Sequence, residues 1–123
     1  VRSHARAVGY TRVSTEDQTL GPDAQRAALE RWASARGVEL VGVFEDRGVS
    51  GAAALDRRPG LLAALDCMAE HGAGLLVAAK RDRFARDVIL AAQLERLVER
   101  DGAKLMSTDG ASDVDSPEAT MLP

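Results

Sequence analysis

The sequence predicts a doubly wound α/β domain, with a mainly parallel sheet of four or five strands flanked by helices. Apolar segments of strand type alternate with segments of helical periodicity along the chain. A glycine also ends each helical segment just before the next apolar run, at Gly37, Gly72 and Gly102. A length of 123 residues with 46% hydrophobic residues suits one packed domain.

Three segments have the pattern of helices. Pro22 to Arg36 begins with a proline, which fits the first turn of a helix. Pro59 to His71 begins in the same way and carries leucines on one side. In Asp87 to Asp101, apolar residues recur at the spacing of an amphipathic helix.

Four segments around these helices are predicted strands: Ala7 to Val13, Val38 to Glu45, Leu75 to Ala79 and Ala103 to Ser107. The third is apolar without alternation, which is typical of a strand covered on both faces in a parallel sheet. Ligands of such sheets bind beyond the carboxyl ends of the strands. Candidate functional residues are therefore expected at those ends.

The charge is uneven along the chain. Its 16 basic and 19 acidic residues give a net charge of −3, which is not typical of a stand-alone nucleic-acid binder. Residues 109–123 are acidic and contain no base. We expect them to form a loop or tail after a domain at residues 7–108, with residues 1–6 as an N-terminal extension.

Several classes of protein are excluded by what the sequence lacks. A single cysteine, Cys67, rules out an internal disulfide and, with only two histidines, an ordinary zinc cluster. Cys67, His4 and His71 are expected to be packing or surface residues. Phosphate-loop and dinucleotide-binding glycine motifs are absent. No apolar run reaches the ~20 residues of a membrane span, so a soluble cytoplasmic protein is expected.

The first predicted strand ends in polar residues. Tyr10, Arg12 and Ser14 share one face of the strand because side chains alternate. Burying the Arg12 guanidinium without an anionic partner would cost free energy on the order of several kcal/mol. Two interpretations stay open at this point. Ser14 or Thr15 caps a turn, with Thr15 to Gln18 matching a capping box, or the strand end forms a site.

The other strand ends carry arginine. Lys80 to Arg86 holds four bases and one acid in seven residues, and the segment after the second strand leads to Arg58. A solvated charge run would explain such a cluster. A phosphate would also explain it, since guanidinium groups bind phosphate oxygens in pairs. A serine hydroxyl beside several guanidiniums and one carboxylate suits phosphoryl transfer to serine.

Four motifs occur in order over about residues 7–108 and together resemble one family. They are Tyr10-Thr11-Arg12-Val13-Ser14-Thr15, Asp46-x-Gly48-x-Ser50-Gly51, Arg58-Pro59-Gly60-Leu61 and Lys80-x-Asp82-Arg83-x-x-Arg86. This order resembles the catalytic domain of the serine recombinases, which include resolvases, invertases and large serine integrases. The resemblance implies a resolvase-like, three-layer fold of flavodoxin type.

The resemblance also implies a mechanism. Ser14 would attack a phosphodiester of double-stranded DNA, forming a 5′-phosphoserine link and freeing a 3′-hydroxyl. Strands would be exchanged in a synaptic tetramer built from dimers, with no metal or other cofactor. Around the phosphate the resemblance places Arg12, Arg58, Arg83 and Arg86. It assigns supporting roles to Tyr10, Gln18, Gln25 and Lys80, and proton transfer or arginine orientation to Asp82. The acceptor of the serine proton stays open.

The sequence departs from the family pattern at three points. Arg81 stands where the family usually has leucine, the spacing from Ser14 to Gln25 is longer than in small resolvases, and the chain stops at Pro123, where the family continues into a long helix. Little recombination by this chain alone is therefore expected. The alternatives are a non-catalytic oligomerisation or regulatory module of the same fold, and a receiver-like domain, which would need clustered aspartates where Arg12 and Ser14 stand.

Overall fold

The fold is a single parallel sheet covered by helices, as predicted. A computed structural model describes residues 2–14 and 21–109. The elements follow in the order β1 (Ser3–Val13), α1 (Pro22–Arg36), β2 (Glu39–Arg47), α2 (Pro59–His71), β3 (Ala73–Ala78), α3 (Val88–Arg100) and β4 (Lys104–Ser107), with short 3₁₀ turns at Leu55–Arg57 and Arg81–Arg83. The strand order is β2-β1-β3-β4, and every pairing is parallel.

Strand β1 begins at Ser3 rather than at the predicted Ala7. The Ser3 N–H donates to the Gly72 carbonyl at 2.7 Å, and Ser3 pairs with Ala73. A Cβ on Gly74 would lie 2.8 Å from the Ser3 carbonyl oxygen, so the close approach of the two strands requires a glycine at residue 74. The exposed residues 3–6 carry no apolar alternation that could have indicated a strand.

The two faces of the sheet form two separate apolar cores. Residues Val8 and Tyr10 of β1 pack with α2, α3 and Phe84 on one face. On the other face, Ala7 packs with Leu29 and Trp32 of α1. The unbroken apolar character of β3, buried along its whole length, is explained by this cover on both faces.

A crevice for a ligand is expected between β1 and β3. From β1 the chain crosses first to β2 on one side, and β3 then pairs on the other side. Such a reversal of strand order is where doubly wound sheets bind ligands. The β1–β3 pairing ends at Gly9 with Val77, whereas β1 stays paired with β2 as far as Val13. Residues 10–14 therefore project past their neighbour β3.

Two predicted features lie outside the described residues. Residues 15–20 include Gln18 and the capping box, and residues 110–123 make up most of the predicted acidic tail. Within the described part of the chain, no helix has the length and apolar character needed to cross a membrane.

Candidate active site

Arg12 lies at the centre of the carboxyl edge and is fully buried. Its guanidinium donates to three backbone carbonyls: Nε to Arg83 at 3.0 Å, Nη2 to Asp82 at 3.0 Å and Nη1 to Val49 at 3.0 Å. Arg83 returns the contact, because its Nη1 donates to the Arg12 carbonyl at 3.0 Å. The end of β1 is thereby fixed to the segments that follow β2 and β3.

The side-chain amide of Gln25 binds both backbone groups of Arg12. Its Oε1 accepts from the Arg12 N–H at 3.1 Å, and its Nε2 donates to the Arg12 carbonyl at 3.0 Å. Gln25 lies on α1 and is fully buried. The structure thus brings this predicted supporting residue to the end of β1, where it fixes the backbone that leads to Ser14.

Arg58 occupies the residue before α2 and is fully buried. Its Nη2 donates to the Gly51 carbonyl at 2.8 Å, and its Nε donates to the Ala53 carbonyl at 3.2 Å. Its Nη1 donates to the Phe84 carbonyl. Arg58 therefore joins the segment after β2 to the segment after β3. In the second segment it binds Phe84, the residue that follows Arg83.

The segment after β3 carries the remaining predicted groups. Arg83 is buried, and its Nε lies 3.1 Å from Oδ1 of Asp82, whose side chain is 49% exposed. Lys80 and Arg86 are exposed on either side of this pair. The chain forms a 3₁₀ turn at Arg81–Arg83, so Asp82 contacts its immediate neighbour in sequence.

Ser14 directly follows β1 and is buried, with 8% of its surface exposed. Among the described residues, its Oγ has no hydrogen-bond partner. A buried hydroxyl without a partner costs free energy, and such a group at the carboxyl edge of a parallel sheet is a candidate for a reactive role. Ser14 lies two residues after Arg12, whose carbonyl accepts a hydrogen bond from Arg83 Nη1.

Asp46 is a site residue that the sequence reasoning missed, although it lies in a quoted motif. The buried carboxylate accepts from the Tyr10 hydroxyl at 2.8 Å and from the N–H groups of Gly60 at 2.7 Å and Leu61 at 3.1 Å. It therefore caps α2 from the end of β2. The available signal was an arginine just before the helix-opening Pro59, since an arginine side chain has no acceptor with which to cap the first N–H groups of a helix.

Tyr10 is held inside the protein rather than at its surface. The ring is fully buried and stacks on Phe84, with ring centroids 6.2 Å apart. Burial is the largest cause that raises the pKa of Tyr10, and the Asp46 carboxylate raises it further, against a smaller opposing effect of Arg58. The phenol therefore stays protonated at neutral pH and donates to Asp46.

The buried charge at this edge is mostly positive. Within residues 2–14 and 21–109, four charged residues are buried, of which three are arginines and one is an aspartate. They are Arg12, Arg58, Arg83 and Asp46. Backbone carbonyls accept from all three guanidiniums and Asp82 pairs with Arg83. Guanidinium groups are also the preferred donors to phosphate oxygens, so an anion bound beside them would gain favourable contacts.

The described residues show no metal-binding arrangement. No group of three or more histidine, cysteine or acidic residues lies close enough together in this part of the chain to hold a metal ion. Cys67 is buried on α2, where burial raises the pKa of the thiol. It packs in the core as predicted.

Fold and site together define a class of protein: a parallel α/β domain with a serine and buried arginines at the carboxyl edge of its sheet. The chain belongs to the resolvase family, since the family described as "Resolvase, N terminal domain" matches residues 7–122. This confirms the resemblance seen in the sequence motifs. A comparison with curated protein sequences gave no match.

Solved structures of serine recombinase catalytic domains have the same fold. The N-terminal catalytic domain of TP901-1 integrase is 26% identical with a TM-score of 0.78, and the match covers 94% of this chain and 86% of that one. The C-terminal catalytic domain of ISC1926 TnpA, an IS607-like serine recombinase, is 30% identical with a TM-score of 0.68, covering 84% and 68%. A serine recombinase from Sulfolobus solfataricus is 26% identical with a TM-score of 0.62, covering 83% and 66%.

Proposed function

We propose that the chain is the catalytic domain of a DNA recombinase in which Ser14 cleaves and rejoins DNA through a 5′-phosphoserine intermediate. The observation that carries the proposal is the buried edge with three arginines, one aspartate and a serine hydroxyl that has no partner among the described residues. A DNA phosphodiester is an anion whose oxygens suit guanidinium donors. Its binding would place an anion beside the three buried guanidiniums.

The reaction is an exchange of one phosphodiester for another. Ser14 Oγ loses its proton and bonds to phosphorus, while the bond from phosphorus to the 3′ oxygen breaks. The 3′ oxygen takes a proton and leaves as a hydroxyl. In the rejoining step, the 3′-hydroxyl of the exchanged strand attacks the phosphoserine and releases Ser14. Bonds and protons balance without a further reactant, so no cofactor is required by the chemistry.

The arginines supply the positive charge for the transition state. Arg12, Arg58 and Arg83 are fixed by backbone carbonyls before any substrate arrives, and such preorganised charge is the main way proteins stabilise a developing oxyanion. The exposed Arg86 and Lys80 extend the same edge toward a bound phosphate. Asp82 orients Arg83 through their 3.1 Å contact.

Tyr10 and Gln25 support the site from inside the protein. Tyr10 keeps its proton because burial and Asp46 raise its pKa, so it does not accept the proton of Ser14. Gln25 fixes the backbone of Arg12 through two hydrogen bonds. A supporting role for Gln18 remains an expectation from the resemblance.

The proposed partners are double-stranded DNA and further copies of the recombinase, as a dimer and a synaptic tetramer. The net charge of −3 argues for weak DNA binding by this chain alone. Such binding would weaken further as salt rises. Synapsis and recombination are therefore proposed to need the longer helix and the DNA-binding domain that the family carries.

The test is adduct formation on a suicide DNA substrate. The chain is fused to the C-terminal helix and DNA-binding domain of a serine integrase and incubated with nicked DNA that carries the sites of that integrase. We expect a covalent protein–DNA adduct with the unmodified chain and none with Ser14→Ala. Ser50→Ala is the matched control, because Ser50 lies at the same edge but its Oγ accepts from the Ala52 N–H. The absence of any adduct would favour the non-catalytic module.

A further inference from the structure

We infer that Gly51 is a positioning residue for DNA cleavage, because its carbonyl accepts from Arg58 and Arg86 and the Arg12 guanidinium lies where a side chain at this position would stand. The inference rests on the proposed function and adds to it a residue that acts through the arginines. Gly51 is buried in the segment between β2 and α2.

The carbonyl of Gly51 links two of these arginines. It accepts from Arg58 Nη2 at 2.8 Å and from the backbone N–H of Arg86 at 3.3 Å. One acceptor thus fixes the guanidinium that precedes α2 and the backbone of the segment that follows β3. The two segments are far apart in sequence, and Gly51 sets the distance between them.

The missing side chain of Gly51 leaves room for the other contacts. A Cβ at this position would lie 2.9 Å from Arg12 Nη2 and 2.7 Å from Arg86 Cγ. Both distances are below van der Waals contact, so an added methyl group would displace at least one of the two side chains. Arg12 has little freedom to move, because its guanidinium is held by three carbonyls.

The backbone conformation does not explain a glycine here. Within the described ranges, the glycines with positive φ are Gly37, Gly48, Gly72 and Gly102, and Gly51 is not among them. Gly48 therefore supplies the left-handed residue of this segment. Gly51 is required for the close approach of the arginines rather than for the turn.

A displaced arginine would slow the chemistry more than it weakens DNA binding. Misplacement of a reacting or stabilising group by about 1 Å costs on the order of 10²-fold in rate. DNA affinity depends mostly on the number of phosphate contacts over the whole interface. We therefore expect Gly51→Ala to lower the rate constant for adduct formation at saturating DNA by about 10²-fold, while the Kd for DNA changes less than about twofold, since few phosphate contacts are lost.

The experiment combines this rate with a spectroscopic readout on the chain itself. In ¹⁵N-labelled protein, the Nε–Hε resonances of Arg12 and Arg58 report the contacts of their guanidiniums. We expect Gly51→Ala to shift both resonances and to speed their hydrogen exchange, while those of the exposed Arg26 stay in place. Gly21→Ala is the matched control, because a Cβ on Gly21 meets nothing within 4 Å.

The spectra separate this inference from the proposed function. Shifted resonances in a chain that forms no adduct would show that Gly51 positions the arginines but would reject DNA cleavage as the function they serve. Unshifted resonances, or equal loss of rate and DNA affinity, would overturn the inference. Where Gly51→Ala does not fold, the double variant with Arg86→Ala is compared with Arg86→Ala alone. Recovery of the fold and shifted Arg12 and Arg58 resonances would support the inference, whereas failure to fold or unshifted resonances would overturn it.

Discussion

Arg12 and Arg83 each bind the backbone carbonyl of the other through their guanidinium groups, at 3.0 Å in both directions. This reciprocal pair joins the end of β1 to the turn after β3, across the point where the strand order reverses. Two positive charges are thus placed side by side before a substrate binds. The geometry of the site depends on this cross-link.

Arg58→Lys is expected to destabilise the domain and to suppress adduct formation. A lysine keeps the charge, but its three donors share one nitrogen and cannot take the separate positions from which Nε, Nη1 and Nη2 reach the carbonyls of Ala53, Phe84 and Gly51. We expect a loss of about 3 kcal/mol in the free energy of unfolding, measured by urea denaturation. The exposed Arg57 is the matched control, and Arg57→Lys should change stability by less than about 0.5 kcal/mol. Equal stability of both variants would contradict the structural role of Arg58.

Ser14→Ala is expected to leave stability unchanged or to raise it by up to about 1 kcal/mol, because it removes a buried hydroxyl without a partner among the described residues. Ser107→Ala is the contrasting control. The buried Ser107 Oγ donates to Asp109 at 2.7 Å, so its loss should cost about 1 kcal/mol. Thermal unfolding of the two variants tests this difference. A larger loss for Ser14→Ala than for Ser107→Ala would mean that Ser14 serves the fold.

Asp46→Asn is expected to loosen the start of α2. The carboxylate accepts from Gly60, Leu61 and Tyr10, and an amide replaces one of its acceptor oxygens by a donor. We expect a loss of about 2 kcal/mol in stability and faster amide hydrogen exchange at Gly60 and Leu61. Asp56→Asn, at an exposed aspartate, should change neither quantity. Unaltered exchange in Asp46→Asn would show that the cap does not support the helix.

Tyr10 is expected to make stability fall at alkaline pH. Its pKa in the native state is raised above the ordinary value of 10.0, so above about pH 10 the unfolded chain releases the phenol proton while the native protein retains it. The free energy of unfolding then falls with pH, by about 1.4 kcal/mol per unit for one proton, until the native phenol titrates. The stability of Tyr10→Phe should lack this decline. Urea unfolding from pH 9 to 11 gives the difference, and parallel curves for the two proteins would reject the raised pKa.

Much of the fold was predictable because its local signals are strong. The helices α1 and α2 have the predicted bounds, since a proline opens each of them and Gly37 or Gly72 closes it in the left-handed conformation. The start of β1 was not predictable. The exposed residues 3–6 join the sheet only because Gly72 and Ala73 lie beside Ser3 in the folded chain.

The candidate site was predictable in its residue types but not in their partners. Alternation along β1 predicted that Arg12 and Ser14 share one face of the strand. The rule that ligands bind at the carboxyl edge of a parallel sheet predicted that the arginines lie near them. The sequence did not show that Arg12 and Arg58 would use backbone carbonyls as acceptors, because those contacts form between segments that are distant in sequence. For the same reason, the cap that Asp46 provides for α2 depends on the packing of β2 against that helix.

The most direct measurement is the chemical location of the protein–DNA link. The adduct formed by the fusion on nicked DNA is digested with nuclease and protease, and tandem mass spectrometry identifies the peptide that carries the nucleotide. We predict a phosphodiester link from Ser14 Oγ to the 5′ end of the cleaved strand, with a free 3′-hydroxyl on the other fragment. A nucleotide attached to any other residue, or a link to the 3′ end, would contradict the account.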